Sequence, residues 1–216
     1  MDTVPSELSS TLDFKDTSSR GVGVDHPRST QKSPMLAAVA ITLLRTPTAL
    51  APLSPEESAC VVSFMRLVGF KPGATVIREG DQQETGYMLL LLSGEVSVQR
   101  SDAGDHEPLV ISVLGPGNLI GEMGLLDGAP RSATCLATSR IEAAVLSRGA
   151  LNQLIEQHPQ VGAKFMVALS QRMAERLRAT GQQVGMYAQL MQTMQAEIDR
   201  LKSQLRALTQ ANDERA

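Results

Sequence analysis

Residues 115–137 read GPGNLIGEMGLLDGAPRSATCLA, and both the fold and the chemistry of the chain turn on them. Glycines at 115, 117, 121 and 124 let the backbone approach a ligand closely and adopt angles closed to other residues. Glu122-Met123-Gly124-Leu125-Leu126 makes about one helical turn, whose free N–H groups suit a small anion. Asp127-Gly128-Ala129-Pro130 then turns the chain back, so Arg131 reaches the same anion with a two-pronged grip. A carboxylate beside an anion site needs a reason, and Glu122 has one if the ligand also carries hydroxyls, as a ribose does. With a small apolar wall of Leu125, Leu126 and Ala133, the stretch implies a nucleotide monophosphate.

Ile120-Gly121-Glu122-Met123-Gly124-Leu125-Leu126, followed by Pro130-Arg131-Ser132-Ala133, resembles the phosphate-binding cassette of the cyclic nucleotide-binding domain family. Ile120 stands where that family usually has an aromatic residue. The resemblance implies an α+β fold: an antiparallel β-roll flanked by N-terminal helices. It also implies that Glu122 holds the ribose 2′-hydroxyl. Arg131, with the amides of Gly121, Met123, Gly124 and Leu125 and the small residues Ser132 and Ala133, would hold the cyclic phosphate. The implied ligand is cAMP. The chemistry of cGMP, or of a cyclic dinucleotide, fits the same residues, and the sequence does not separate the three.

Composition narrows the remaining classes. The chain has 216 residues and a formal net charge of −3, so no global basic field marks a nucleic-acid binder. Cys60 and Cys135 sit far apart in apolar surroundings and read as free thiols of a reducing cytosol. His26, His106 and His158 have no metal-ligand spacing. No nucleophile, base and orienting group stand together, so catalytic residues, a metal and a cofactor are all unexpected. The apolar run Met35–Leu44 is ten residues long and ends at Arg45, too short to span a bilayer. The expected location is the cytoplasm.

Around the cassette the pattern is one of short elements. Residues 1–34 are rich in Ser, Thr, Asp and Pro and read as a disordered tail. A helix is expected over Met35–Arg45, and a second from Ser54-Pro55-Glu56-Glu57, a capping box with Pro at the first position, to about Val68. Strands are expected over 75–78, 87–92, 95–100, 109–114, 132–138 and 141–146, with 101–106 as a polar loop. Ser147 caps a helix over 150–157, and Pro159 opens a long one. The domain proper spans 35–180.

The long helix carries its own signal. Val184, Tyr187, Met191, Met194, Ile198, Leu201, Leu205 and Leu208 recur at spacings of 3-4-3-4-3-4-3, the a/d seam of a coiled coil over 181–216. β-Branched residues at a and Leu at d favour a parallel homodimer, with Asn212 at the last a position. Ala168–Gly185 resembles the helix that follows the roll in the catabolite activator branch of the family. By that resemblance Thr180 reaches the base at the dimer seam, although Gly181 replaces the serine expected beside it. In the regulators of that branch a DNA-binding domain follows, whereas here the heptads continue to the last residue. The expectation is a dimeric cAMP sensor without DNA binding or membrane attachment, signalling to an unnamed protein partner through its coiled coil. A transcription regulator lacking its DNA-binding domain and a structural dimer that binds no nucleotide are the alternatives.

Overall fold

The first helix, α1 (Pro34–Leu44), starts with proline at its first position and is closed by Arg45, ahead of Thr46-Pro47. The second, α2 (Pro55–Ser63), has the full capping box. The Ser54 hydroxyl accepts from the Glu57 N–H at 3.2 Å, and the Glu57 carboxylate accepts from the Ser54 N–H at 2.9 Å. The same carboxylate receives the ammonium of Lys164, and that bond holds the Glu57 carboxyl below the usual carboxylate range. These contacts come from a computed structural model that describes residues 24–29, 33–101 and 108–213, with side chains described from 33 to 205 inside those spans.

Two expectations change at the start of the sheet. Helix α2 ends at Ser63 rather than near Val68, because Arg66–Phe70 is strand β2. Leu67, Val68 and Phe70 are all buried, and β2 pairs along its whole length with the strand Ile141–Ser147. Partners some 75 residues away in sequence decide its conformation, against a local pattern that looks helical. Inside the stretch read as a disordered tail, Val24–Ser29 forms strand β1, antiparallel to β2. Residues 1–23 and 30–32 of that stretch, and residues 102–107, where a polar loop was expected, lie outside the described residues.

The roll is two antiparallel sheets. Its other strands are β3 (Thr75–Ile77), β4 (Tyr87–Ser93), β5 (Val96–Arg100), β6 (Leu109–Leu114), β7 (Leu119–Ile120), β8 (Thr134–Ala137) and β9 (Ile141–Ser147). One sheet runs β1-β2-β9-β4-β7 and the other β3-β8-β5-β6. The unbroken apolar run of β4 follows from its position. Side chains alternate between the two faces of a strand, and here both faces are covered. Met88, Leu90 and Leu92 join one buried cluster with α1, α2 and Phe165; Tyr87, Leu89 and Leu91 join the second, with Val76, Val96 and Ile141. The two-residue β7 carries the chain from the Gly115–Asn118 turn into the cassette, and the Thr48 hydroxyl ties that turn to the end of α1 by donating to Gly117 O at 2.9 Å.

After β9, Ser147 caps α4 (Arg148–Gln157), accepting from the Ala150 N–H at 3.1 Å. Helix α5 runs from Pro159 to Asp213. The chain divides into two units, at Leu169 and Ser170. In the first, Phe165, Ala168 and Leu169 of α5 are buried in the core beneath α1 and α2. In the second, α5 exposes the seam residues Val184, Tyr187, Met191, Met194, Ile198, Leu201 and Leu205, the least exposed being Ile198 at 42 %. Leu208 and Asn212 lie beyond the described side chains.

Candidate functional site

The cassette folds as one short helix, α3 (Glu122–Asp127), between two left-handed glycines, Gly121 at φ 78° and Gly128 at φ 72°. Its first intrahelical bond joins the Leu125 N–H to Gly121 O, so the amides of the first turn have no helical acceptor. Asp127 Oδ1 accepts from the Ala129 N–H at 2.9 Å and turns the chain toward Arg131. Arg131 and Glu122 are each only 5 % exposed. Among the described residues they are the buried charged side chains, and both lie in this one small loop.

Arg131 reaches the cassette, and its guanidinium lies in a cage of main-chain oxygens. Nη1 donates to Gly121 O at 2.8 Å; Nη2 donates to Glu84 O and Tyr87 O, both at 2.9 Å; Nε donates to Glu84 O at 3.2 Å. Of the five N–H groups of a guanidinium, one on Nη1 remains uncommitted after these four bonds. Beneath the guanidinium lies the Tyr87 ring, its centroid 4.4 Å from Cζ, in a cation–π contact. The Tyr87 hydroxyl donates to Val76 O at 3.2 Å. Burial pushes the Tyr87 phenol up to about 12, with the positive charge of Arg131 pulling the other way.

This geometry gives the cassette glycines a further task. A Cβ on Gly121 would lie 2.8 Å from Arg131 Nη1, and one on Gly124 would lie 2.8 Å from the same nitrogen and 3.0 Å from Thr85 O. Both positions admit the arginine beneath the helix, in addition to any approach from the solvent side. Gly115 needs no such freedom: a Cβ there would meet nothing within 4 Å, and its φ is not positive.

The other expected residues are distributed around this centre. Leu125 is buried against the core, Met123 is 48 % exposed, Ser132 is exposed and Ala133 half-buried. Thr180 belongs to the second unit; it is exposed on α5, its hydroxyl donating to Arg176 O at 2.9 Å. The sequence reading assigned no part in the site to the segment Glu84-Thr85-Gly86-Tyr87, of which only Tyr87 was read, as the start of a strand. Two of its carbonyls hold Arg131, and the Thr85 hydroxyl donates to Gly128 O at 3.3 Å. Arg148 was missed as well: its Nη2 donates to Gly124 O at 2.9 Å and its N–H to Gly86 O at 2.7 Å. A short segment ahead of an apolar strand was the only available signal, since a carbonyl lining has no residue signature.

Chemically, the site is a buried cation whose hydrogen-bond partners among the described residues are uncharged carbonyls, with a buried carboxylate in the same loop and a helical turn of amides. A cation so placed favours an anion. No cluster of His, Cys, Asp or Glu suited to a metal ion exists among the described residues. No helix among them is long and apolar enough to cross a membrane.

Comparison with known proteins agrees with this construction. Residues 67–158 match the cyclic nucleotide-binding domain family model. The Thermus thermophilus cyclic AMP receptor protein is 33 % identical over 123 residues, 57 % of this chain and 56 % of its own length. A cAMP-dependent protein kinase regulatory subunit of Colletotrichum orbiculare is 32 % identical over 52 % of this chain and 27 % of its own. By description one is a receptor protein and the other a regulatory subunit. The chain spans about half the length of the bacterial relatives it matches, 56 % and 53 %. A crystallised cyclic nucleotide-binding domain from Methylobacillus flagellatus KT superposes with a TM-score of 0.62 at 30 % identity, covering 77 % of this chain and 88 % of that one. With the roll, the cassette and its buried Glu122 and Arg131 all in place, this chain belongs to the cyclic nucleotide-binding domain family.

Proposed function

We propose that the protein is a dimeric sensor of a cyclic nucleotide, cAMP first among them, that passes the occupied state to a protein partner through its C-terminal helix. The observation that carries this reading is Arg131: a residue 5 % exposed, its guanidinium held by the carbonyls of Gly121, Glu84 and Tyr87 and, among the described residues, by no carboxylate. Four hydrogen bonds to three neutral carbonyl oxygens fix its position without cancelling its charge, so a cyclic phosphate above α3 gains a preorganised counter-charge. The uncommitted Nη1–H and the first-turn amides of α3 supply donors, and Glu122 supplies an acceptor for a ribose hydroxyl. The names of the relatives support cAMP over the other cyclic nucleotides.

The dimer rests on the second unit. An apolar stripe of a and d residues, exposed from Val184 to Leu205, is accounted for by a second copy in parallel register. Isothermal titration of the chain with cAMP, cGMP and a cyclic dinucleotide tests the ligand. Tight binding of cAMP, lost in Arg131→Ala and poorly restored in Arg131→Lys, is the expected pattern. Binding of none of the three by the wild type overturns the reading. The ribose role is tested by cAMP against 2′-deoxy-cAMP, where equal affinity removes Glu122 from the site.

A further inference from the structure

Arg148 breaks a local rule. It is the first residue of α4, with no acidic residue in that helix's first turn, so its positive charge sits at the end where the helix dipole disfavours a cation. The residue is exposed, yet its guanidinium is not left to solvent alone. Instead Nη2 donates to Gly124 O at 2.9 Å inside α3, and the guanidinium lies along the left-handed Gly128 that ends α3, where even a Cβ would come within 3.4 Å of Nη2. The main-chain N–H of the same residue donates to Gly86 O at 2.7 Å. Gly86 lies between Glu84 and Tyr87, whose carbonyls cage Arg131. Thr85 closes the circuit by donating to Gly128 O at 3.3 Å.

One residue therefore grips both walls of the anion site. Its side chain holds the cassette helix, and its backbone holds the segment that positions Arg131. Being N1 of α4, it also belongs to the helix that carries Leu151 and Leu154 into the core shared with Phe165 of α5. We infer that Arg148 is a positioning residue that clamps α3 to the first turn of α4, so that a displacement of the cassette is handed to α4. Because Gly124 N–H belongs to the first turn of α3 and Gly124 O to the bond with Arg148, an anion drawn onto those amides pulls on the clamp from its far side. The ligand-driven part of this inference rests on the sensor reading above; the clamp itself does not.

Hydrogen exchange on the full chain separates the two. Without ligand, Arg148→Ala is expected to speed exchange of the Gly128 amide, which donates to Gly124 O at 3.0 Å, by about tenfold, as a charged hydrogen bond is lost. Arg148→Met, which keeps the aliphatic stem, should do the same, and Arg148→Lys should restore protection in part. Exchange in β9 should not change, which reports an intact roll. An unchanged Gly128 amide in both Arg148→Ala and Arg148→Met overturns the clamp. With saturating cAMP, the wild type is expected to alter protection across 150–156, and Arg148→Ala to bind cAMP while losing that response. A response that survives in Arg148→Ala overturns the transmission role. If the wild type binds no cyclic nucleotide, the sensor reading falls, and the ligand-free arm still decides the clamp.

Discussion

The two units answer the same problem, a surplus of apolar side chains, in opposite ways. Up to Leu169 the apolar pattern closes on itself: β4 buries six successive residues, and Leu90, Leu91, Ile141 and Leu146 have no exposed surface. Beyond Ser170 the pattern is as regular, yet Val184 is 60 %, Met191 71 % and Leu205 66 % exposed. A sheet with a helical layer completes its core within one chain. A lone helix with an apolar stripe does not, because every residue it touches is its own neighbour in sequence. The difference teaches that regular patterning specifies a buried face without saying which molecule covers it.

The sharpest way to break that contrast is to remove the stripe. Leu201→Asp with Leu205→Asp should yield monomers in sedimentation equilibrium, since each leucine contributes about 1.5–3 kcal/mol per chain when buried. The roll, being self-sufficient, should keep its thermal transition. A chain truncated after Gly181 that dimerises as tightly as the full one would place the interface elsewhere.

Within the roll, Arg131→Ala should cost about 2–4 kcal/mol of cyclic nucleotide affinity, read by titration calorimetry. It should also lower unfolding free energy in urea, because Gly121, Glu84 and Tyr87 lose their donor. Loss of stability with no loss of affinity would make the arginine a purely structural strut.

Tyr87 extends the comparison to alkaline pH. Its folded pKa, about 12, lies above the ordinary value of 10 because of burial. Below pH 10 the phenol is protonated in both states and its contribution is fully present. Between about 10 and 12 the unfolded chain releases the proton and the folded one keeps it, so stability falls there, by on the order of 2 kcal/mol. Tyr87→Phe should flatten this part of the curve of stability against pH. The smallest effect belongs to the helix: Gly181→Ala and Gly185→Ala, both facing open space, should each stabilise α5 by about 1 kcal/mol, visible as a higher helical melting temperature by circular dichroism.

Much of this was legible from residue patterns. Proline and serine signals at helix starts, turn glycines and strand periodicity located α1, the start of α2, α4 and strands β3 to β6, β8 and β9 to within a few residues. What escaped had physical reasons. Strand β7 has two residues, too few to show a period. Strand β2 is dictated by pairing with β9, which no local window contains. In the site, Glu122 and Arg131 stood out because their side chains carry the chemistry, but the cage around Arg131 is built from the carbonyls of Glu84, Tyr87 and Gly121, and every residue has a carbonyl. Arg148 belongs to no motif at all; it was visible only once α3 and α4 lay side by side.

The central place of β9 has a consequence for how the protein is made. In the sheet order β1-β2-β9-β4-β7, the strand that joins β2 to β4 is the last of them to be synthesised. Residues 66–70 and 87–93 must wait for 141–147 before they are joined in one sheet. Until Ser147 has been synthesised, the apolar run of β4 has only part of its covering. Closing that long loop is the slow, entropically costly step, whereas α5 winds up from local contacts as it emerges. The roll is thus finished only as α5 begins to emerge.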